Sequence, residues 1–177
     1  QMNDSRNVID EFKGMLIDEI VEQLDTRGVE LEIAIENLVR DFNMGTIVRS
    51  ANAFGVRTVH VIGRRQWNKR GAMMTDKYLT VRYYASVDEF IETIGDKALI
   101  AIDNIQGSKP LAEVNLPASA VLLFGAEGPG ISRELLAKAD SIVSIEQLGS
   151  TRSLNVGVAA GIAMYSWLCQ HRLNRKD

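Results

Sequence analysis

The spacing of hydrophobic positions changes several times along the chain. Over residues 8–24, Ile9, Phe12, Leu16, Ile20 and Leu24 recur at helical intervals with acids and amides between them, which predicts one amphipathic helix ended by Thr26-Arg27-Gly28. Leu31, Ile33 and Ile35 then alternate with Glu30, Glu32, Ala34 and Glu36, the period of a strand, and the core is expected to begin there. Residues 41–45 form a turn whose Asn or Asp can cap a helix carrying Ile47, Val48, Ala51 and Phe54 inward and closing at Gly55. A second strand is predicted over 57–63, an irregular or short helical stretch over 71–77, and a short strand over 81–85. Val87, Phe90, Ile91 and Ile94 give a helix stopped by Gly95. Residues 98–102 and 120–124 are unbroken apolar runs, as expected of strands covered on both faces. Ile131, Leu135 and Leu136 supply a further helix.

The pattern breaks most sharply between Ser141 and Tyr165. Ile142, Val143 and Ile145 read as a buried strand, 147–152 as a polar loop turning at Gly149, and Ser153 stands where a helix N-cap would be. From Leu154 a helix follows that is apolar nearly all round but has little bulk, so it is expected to be buried on several sides. Gly157 and Gly161 in its interior each cost about 1 kcal/mol against Ala, so close approach of another backbone is the expected compensation. Strands alternating with helices predict an α/β fold: a mostly parallel sheet flanked by helices, with ligands at the carboxyl ends of the strands.

Composition narrows the class. The 177 residues suit one core, and 46% hydrophobic with 24% charged residues is ordinary for a globular protein. No apolar run approaches the roughly 20 residues of a membrane span, and the acidic start is no signal peptide, so a cytoplasmic protein without a membrane partner is expected. A single Cys excludes an internal disulfide, and two His leave no metal-ligand cluster to propose. The net charge of -3 means that a nucleic-acid partner would have to be held by local patches.

Four features carry candidate chemistry. Residues 124–132 place Gly125, Gly128 and Gly130 between a buried strand and a helix, where backbone amides can approach a ligand. Gly125 and Gly130 have the spacing of a phosphate-binding loop, but Ile131 stands where its Lys should be, and the order is not that of a dinucleotide site. Glu127 there is either a cap or a ligand-facing group. Asn43 and Arg49 lie six residues apart across a turn and a helix start, where an Arg is commonly a solvated charge. Residues 63–71 set Arg64, Arg65, Lys69 and Arg70 around Trp67; as a loop after a strand they suit phosphate contacts with base stacking, or else a solvated loop with Trp67 tucked inward. The fourth is the turn Ser153-Leu154-Asn155.

The segments DFNMGTIVRSANAFG (41–55), LLFGAEGPGIS (122–132) and IEQLGSTRSLNVGVA (145–159) resemble, in order and spacing, the three motifs of the SpoU or TrmH-type branch of the SPOUT RNA methyltransferases. The resemblance runs from about residue 30 to the end. It implies an α/β domain over 29–177 with a deep C-terminal trefoil knot, preceded by a helical arm over 1–28. It further implies a homodimer, S-adenosylmethionine as methyl donor and the ribose 2'-hydroxyl of tRNA or rRNA as acceptor. On the same basis Arg49, Asn43, Glu127, Ser153 and Asn155 are the catalytic set, and Gly125, Ile145, Leu154, Gly130 and Leu148 cradle the cofactor. A sulfonium donor needs no metal. A guanidinium, with a pKa above roughly 12, suits steering and stabilising an oxyanion better than accepting a proton. Phe42, Glu146 and Gln147 depart from the family's usual residues. RNA contacts would fall to the arm with Arg6, Lys13 and Arg27, to the 64–70 loop, and to Arg172, Arg175 and Lys176. Other readings are an RNA-binding protein of the same fold without transfer activity, a base-methylating SPOUT enzyme, and a nucleotide-dependent phosphotransferase.

Overall fold

The computed structural model describes residues 7–38 and 43–173. Asp41 and Phe42 of the first motif, with Arg6, Arg175 and Lys176, lie outside them. The helix expected over 8–24 is divided. A single 3-10 turn, Asp10–Phe12, is followed by Gly14 at φ 83°, and only then by α1, Ile17–Arg27. Gly14 takes the left-handed backbone that breaks the helical run, and Glu19 reaches back to the Leu16 amide at 3.0 Å to open α1.

Seven parallel strands are found among the described residues: β1 Glu32–Asn37, β2 Thr58–Gly63, β3 Thr80–Tyr84, β4 Ala98–Ile102, β5 Lys109–Pro110, β6 Ala120–Phe124 and β7 Ser141–Ser144. Their order is β3-β2-β1-β6-β4-β7-β5. The chain therefore builds outward from β1 on one side, then crosses to the other, and the crevice between β1 and β6 is a topological switch point. The two-residue β5 has no periodic signal and escapes any reading by pattern.

Register explains the layers. Val59, Ile33, Leu122 and Ile100 stand side by side across the sheet and face one helical layer. That layer is α2, Asn43–Ala53, with α5, Val156–Leu168. The next row, His60, Ala34, Leu123 and Ala101, faces α3, Val87–Ile94, and α4, Arg133–Lys138. Ser86 caps α3 by accepting from the Glu89 amide, and Gly95 at φ 56° ends it. The arm packs through a separate small cluster of Phe12, Ile20 and Tyr78.

The second face carries a buried polar group. His60 is 2% exposed; burial, helped by the nearby Arg82, pushes it down to about 4. It is thus neutral at pH 7, accepting from the Tyr84 hydroxyl at Nδ1 (2.8 Å) and donating from Nε2 to Glu32 (2.5 Å), whose other oxygen pairs with Lys97. The unfolded chain takes up this proton near pH 6.5 and the folded one only near 4, so the stability is intact above 6.5 and is lost as pH falls through that window. About 3 kcal/mol should disappear between about pH 7 and pH 4. Urea titrations of the wild type and His60→Gln should show the variant with the flatter pH profile; parallel profiles would remove His60 from the acid response.

Candidate active site

The carboxyl ends of β4, β6 and β7 and the start of α5 enclose a cavity of about 560 Å³. The loop after β6 forms one wall. It doubles back so tightly that the Gly130 amide donates to the Ala126 carbonyl at 2.9 Å, and a Cβ on Gly125 would overlap the backbone of Gly130 and Ile131. Glu36, 4% exposed at the end of β1, anchors this loop by accepting from the Ser132 amide at 2.7 Å. Asp103 faces Gly130 and lines the cavity. Asn104 holds the opposite wall, donating to the Arg152 carbonyl at 2.9 Å. Pattern reading missed Glu36, Asp103 and Asn104. The last two directly follow the apolar run 98–102, so the rule placing ligands at strand carboxyl ends was the available signal.

The second wall is 145–156. Ile145, Ser153, Leu154 and Asn155 line it with Gly125, Glu127 and Gly130 opposite. Leu148 is fully exposed and outside the lining. Ser153 is not the cap of α5. Asn155 is, its Oδ1 accepting from the Val158 amide at 3.2 Å, so the helix starts two residues later than the pattern predicts. The same Asn155 donates through Nδ2 to Asn43 Oδ1 at 3.0 Å, and Asn43 Nδ2 donates to Glu127 at 3.1 Å. A relay of amides and a carboxylate thus ties together the three motif segments, which are 84 and 112 residues apart in the chain.

Arg49 is not in this cavity. It is exposed on α2, with no hydrogen bond or ion pair among the described residues, and lines a neighbouring space of about 430 Å³ with Thr46, Ser50 and Arg70. Nor is α5 buried all round. Gly157 does meet Thr46, at 3.0 Å from where its Cβ would stand, but Gly161 meets nothing within 4 Å. Val158, Ile162 and Tyr165 are 51%, 40% and 52% exposed.

The basic loop is set on β1: Asn37, 2% exposed, donates to the carbonyls of Arg64 (2.7 Å) and Gln66 (3.1 Å). Trp67 is tucked inward, its Nε1 donating to the Tyr83 hydroxyl at 3.0 Å, so it is no platform for a base. Arg65 stacks on Tyr83 at 4.6 Å, and Lys69 pairs with Asp76 at 3.6 Å. Lys13 is paired with Asp10, Arg27 with Glu11, and Arg172 with Glu30. Among the described residues no cluster of His, Cys, Asp and Glu is placed to hold a metal, and no helix is long and apolar enough to cross a membrane.

A parallel sheet whose switch point opens on a glycine-folded loop, with a polar relay at its mouth, defines an α/β protein built around a small-molecule cofactor. The chain belongs to the SpoU rRNA methylase family, whose profile matches residues 30–165. It is 28% identical over 156 residues to the tRNA (guanosine(18)-2'-O)-methyltransferase of Thermus thermophilus, covering 82% of this chain and 78% of that one. Among solved structures it resembles the A. aeolicus TrmH/SpoU tRNA modifying enzyme, with a TM-score of 0.76 and 26% identity over 87% of this chain and 81% of that one. It also resembles the AdoMet-bound rRNA methyltransferase from Sinorhizobium meliloti, with a TM-score of 0.72 and 26% identity over 84% and 59%.

Proposed function

We propose that the protein transfers a methyl group from S-adenosylmethionine to a ribose 2'-hydroxyl of tRNA or rRNA. The observation that carries this reading is the Asn155–Asn43–Glu127 relay at the mouth of the glycine-lined cavity. The cavity suits the cofactor: Gly125 and Gly130 expose backbone, Ile145 and Leu154 offer apolar contact, and Asp103 and Glu127 complement a cationic ligand. When bound, the cofactor would supply an electrophilic methyl group to the ribose oxygen and leave as S-adenosylhomocysteine, with the hydroxyl proton released to solvent. The chain's part is positional and electrostatic. Asn43 fixes Glu127, Asn155 fixes Asn43 while capping α5, and Ser153 at the rim is free to touch substrate. Arg49 steers the 2'-oxygen and stabilises its developing charge.

Arg49 reaches such a site from a second subunit in this proposal. The exposed apolar face of α5, extended where Tyr165 meets Phe54 at 6.1 Å, is the surface that a second copy would cover, and Gly161 would find its close neighbour there. Residues 29–177 form the catalytic domain, its late turns threaded as the trefoil knot, and residues 1–28 an accessory arm. Incubation with methyl-labelled S-adenosylmethionine and separate tRNA and rRNA pools tests the function: label should enter one pool, and incorporation into neither would end the reading.

The exposed cations of the 64–70 loop are proposed phosphate contacts. Replacing Arg64, Arg65, Lys69 and Arg70 by Ala should weaken RNA binding and flatten its dependence on salt by about 0.7–0.9 in log–log slope for each phosphate set free. An unchanged slope would place RNA elsewhere.

A further inference from the structure

Asp103 directly follows β4 and lines the 560 Å³ cavity half-buried. Its backbone is fixed there, because its amide donates to the Val143 carbonyl of β7 at 3.0 Å. Among the described residues its side chain makes no ion pair, and its hydrogen bond, accepted at Oδ2 from the Ile131 amide, is long at 3.5 Å. Gly130 keeps that oxygen clear, since a Cβ there would stand 3.2 Å from it. Glu127, the other carboxylate of the lining, is already engaged by Asn43. A carboxylate can accept about four hydrogen bonds, so Asp103 keeps most of its capacity for a ligand.

Its charge favours a cationic cofactor from anywhere in the cavity, but its oxygens reach only one part of it, and strand order tells which. β1, β6, β4 and β7 stand side by side in that order. Asn43 and Glu127, the relay beside which the proposed transfer takes place, follow β1 and β6. Asp103, at the end of β4, is one strand farther along, about 5 Å. On its far side the lining turns apolar: Ile102 pairs in register with Val143 of β7, and Ile145 follows that strand. A flat ring fits this apolar end, and the reacting sulfur belongs at the relay. What joins ring to sulfur in S-adenosylmethionine is the ribose, whose two neighbouring hydroxyls are neutral donors. An acidic side chain holding a ribose hydroxyl beside a strand terminus is an arrangement that open α/β sheets use for nucleotide ligands.

We propose that Asp103 recognises the ribose of the cofactor, accepting from its 2'- and 3'-hydroxyls. The inference rests on S-adenosylmethionine being the cofactor, and the test keeps the two apart. The probe is 5'-methylthioadenosine, which keeps base, ribose and sulfur but has neither sulfonium nor ammonium, so weaker binding cannot come from lost attraction between charges. Calorimetry should show Asp103→Ala binding it about 10–100-fold more weakly than wild type, the loss of hydrogen bonds to a charged acceptor, with Asp103→Asn, which keeps one accepting oxygen, in between. Both variants should melt close to wild type, because the side chain has one long bond to lose. At least one of the 2'-deoxy and 3'-deoxy forms of the probe should bind wild type about tenfold more weakly and lose little more in Asp103→Ala, the coupling expected of direct contact. Three results would each overturn the proposal and leave the methyltransferase reading standing: wild type binding both deoxy forms as tightly as the parent, Asp103→Ala weakened toward S-adenosylmethionine but not toward the probe, or wild type binding S-adenosylmethionine and not the probe. Wild type that binds neither would remove both.

Discussion

Arg49→Ala is expected to lower kcat by about 10²–10³-fold while calorimetry shows S-adenosylmethionine bound as tightly as before. The size is that of removing one donor aimed at a developing oxyanion, and the split follows from placement, since Arg49 lies outside the cavity proposed for the cofactor. Its exposure and lack of partners among the described residues mean that truncation should leave stability nearly untouched. Arg49→Lys keeps a charge without the planar fork and should recover only part of the rate. Unchanged turnover in Arg49→Ala would remove the residue from the mechanism.

Gly125→Ala should do the reverse and abolish cofactor binding first. A methyl group here would overlap backbone atoms of Gly130 and Ile131, which no rotamer change can relieve. The loop must open at the Ala126–Gly130 bridge, and the wall of the cavity opens with it. Affinity for S-adenosylmethionine should fall by about 100-fold or more, with stability lower by about 1–3 kcal/mol. The circular dichroism of the sheet should persist, because Glu36 anchors the far end of the loop through Ser132 rather than through residue 125. Wild-type affinity in this variant would show that the loop is not the cradle.

The sheet was legible because β4 and β6 are unbroken apolar runs and β1 alternates at the period of a strand, while the helix between β3 and β4 is bounded by a capping Ser86 and by Gly95. The misplaced elements are those decided by single residues. Gly14 divides a helix whose hydrophobic period runs through it, and Asn155 displaces Ser153 as the cap because its side chain also reaches Asn43. The motifs supplied the names of the site residues but not their contacts, since no local pattern says that Asn43 and Asn155 touch across 112 positions. Trp67 lies inward because Tyr83, on the neighbouring strand, offers its indole a partner, a tertiary fact invisible in the basic loop. The exposed stripe of α5 was hidden for a related reason: apolarity does not say which faces of a helix its own chain covers.

After incubation of the protein with trideuteriomethyl S-adenosylmethionine and the accepting RNA pool, nucleosides released by enzymatic digestion can be fragmented into base and ribose in the mass spectrometer. The label should travel with the ribose; label on the base fragment, or none on either, would contradict the account.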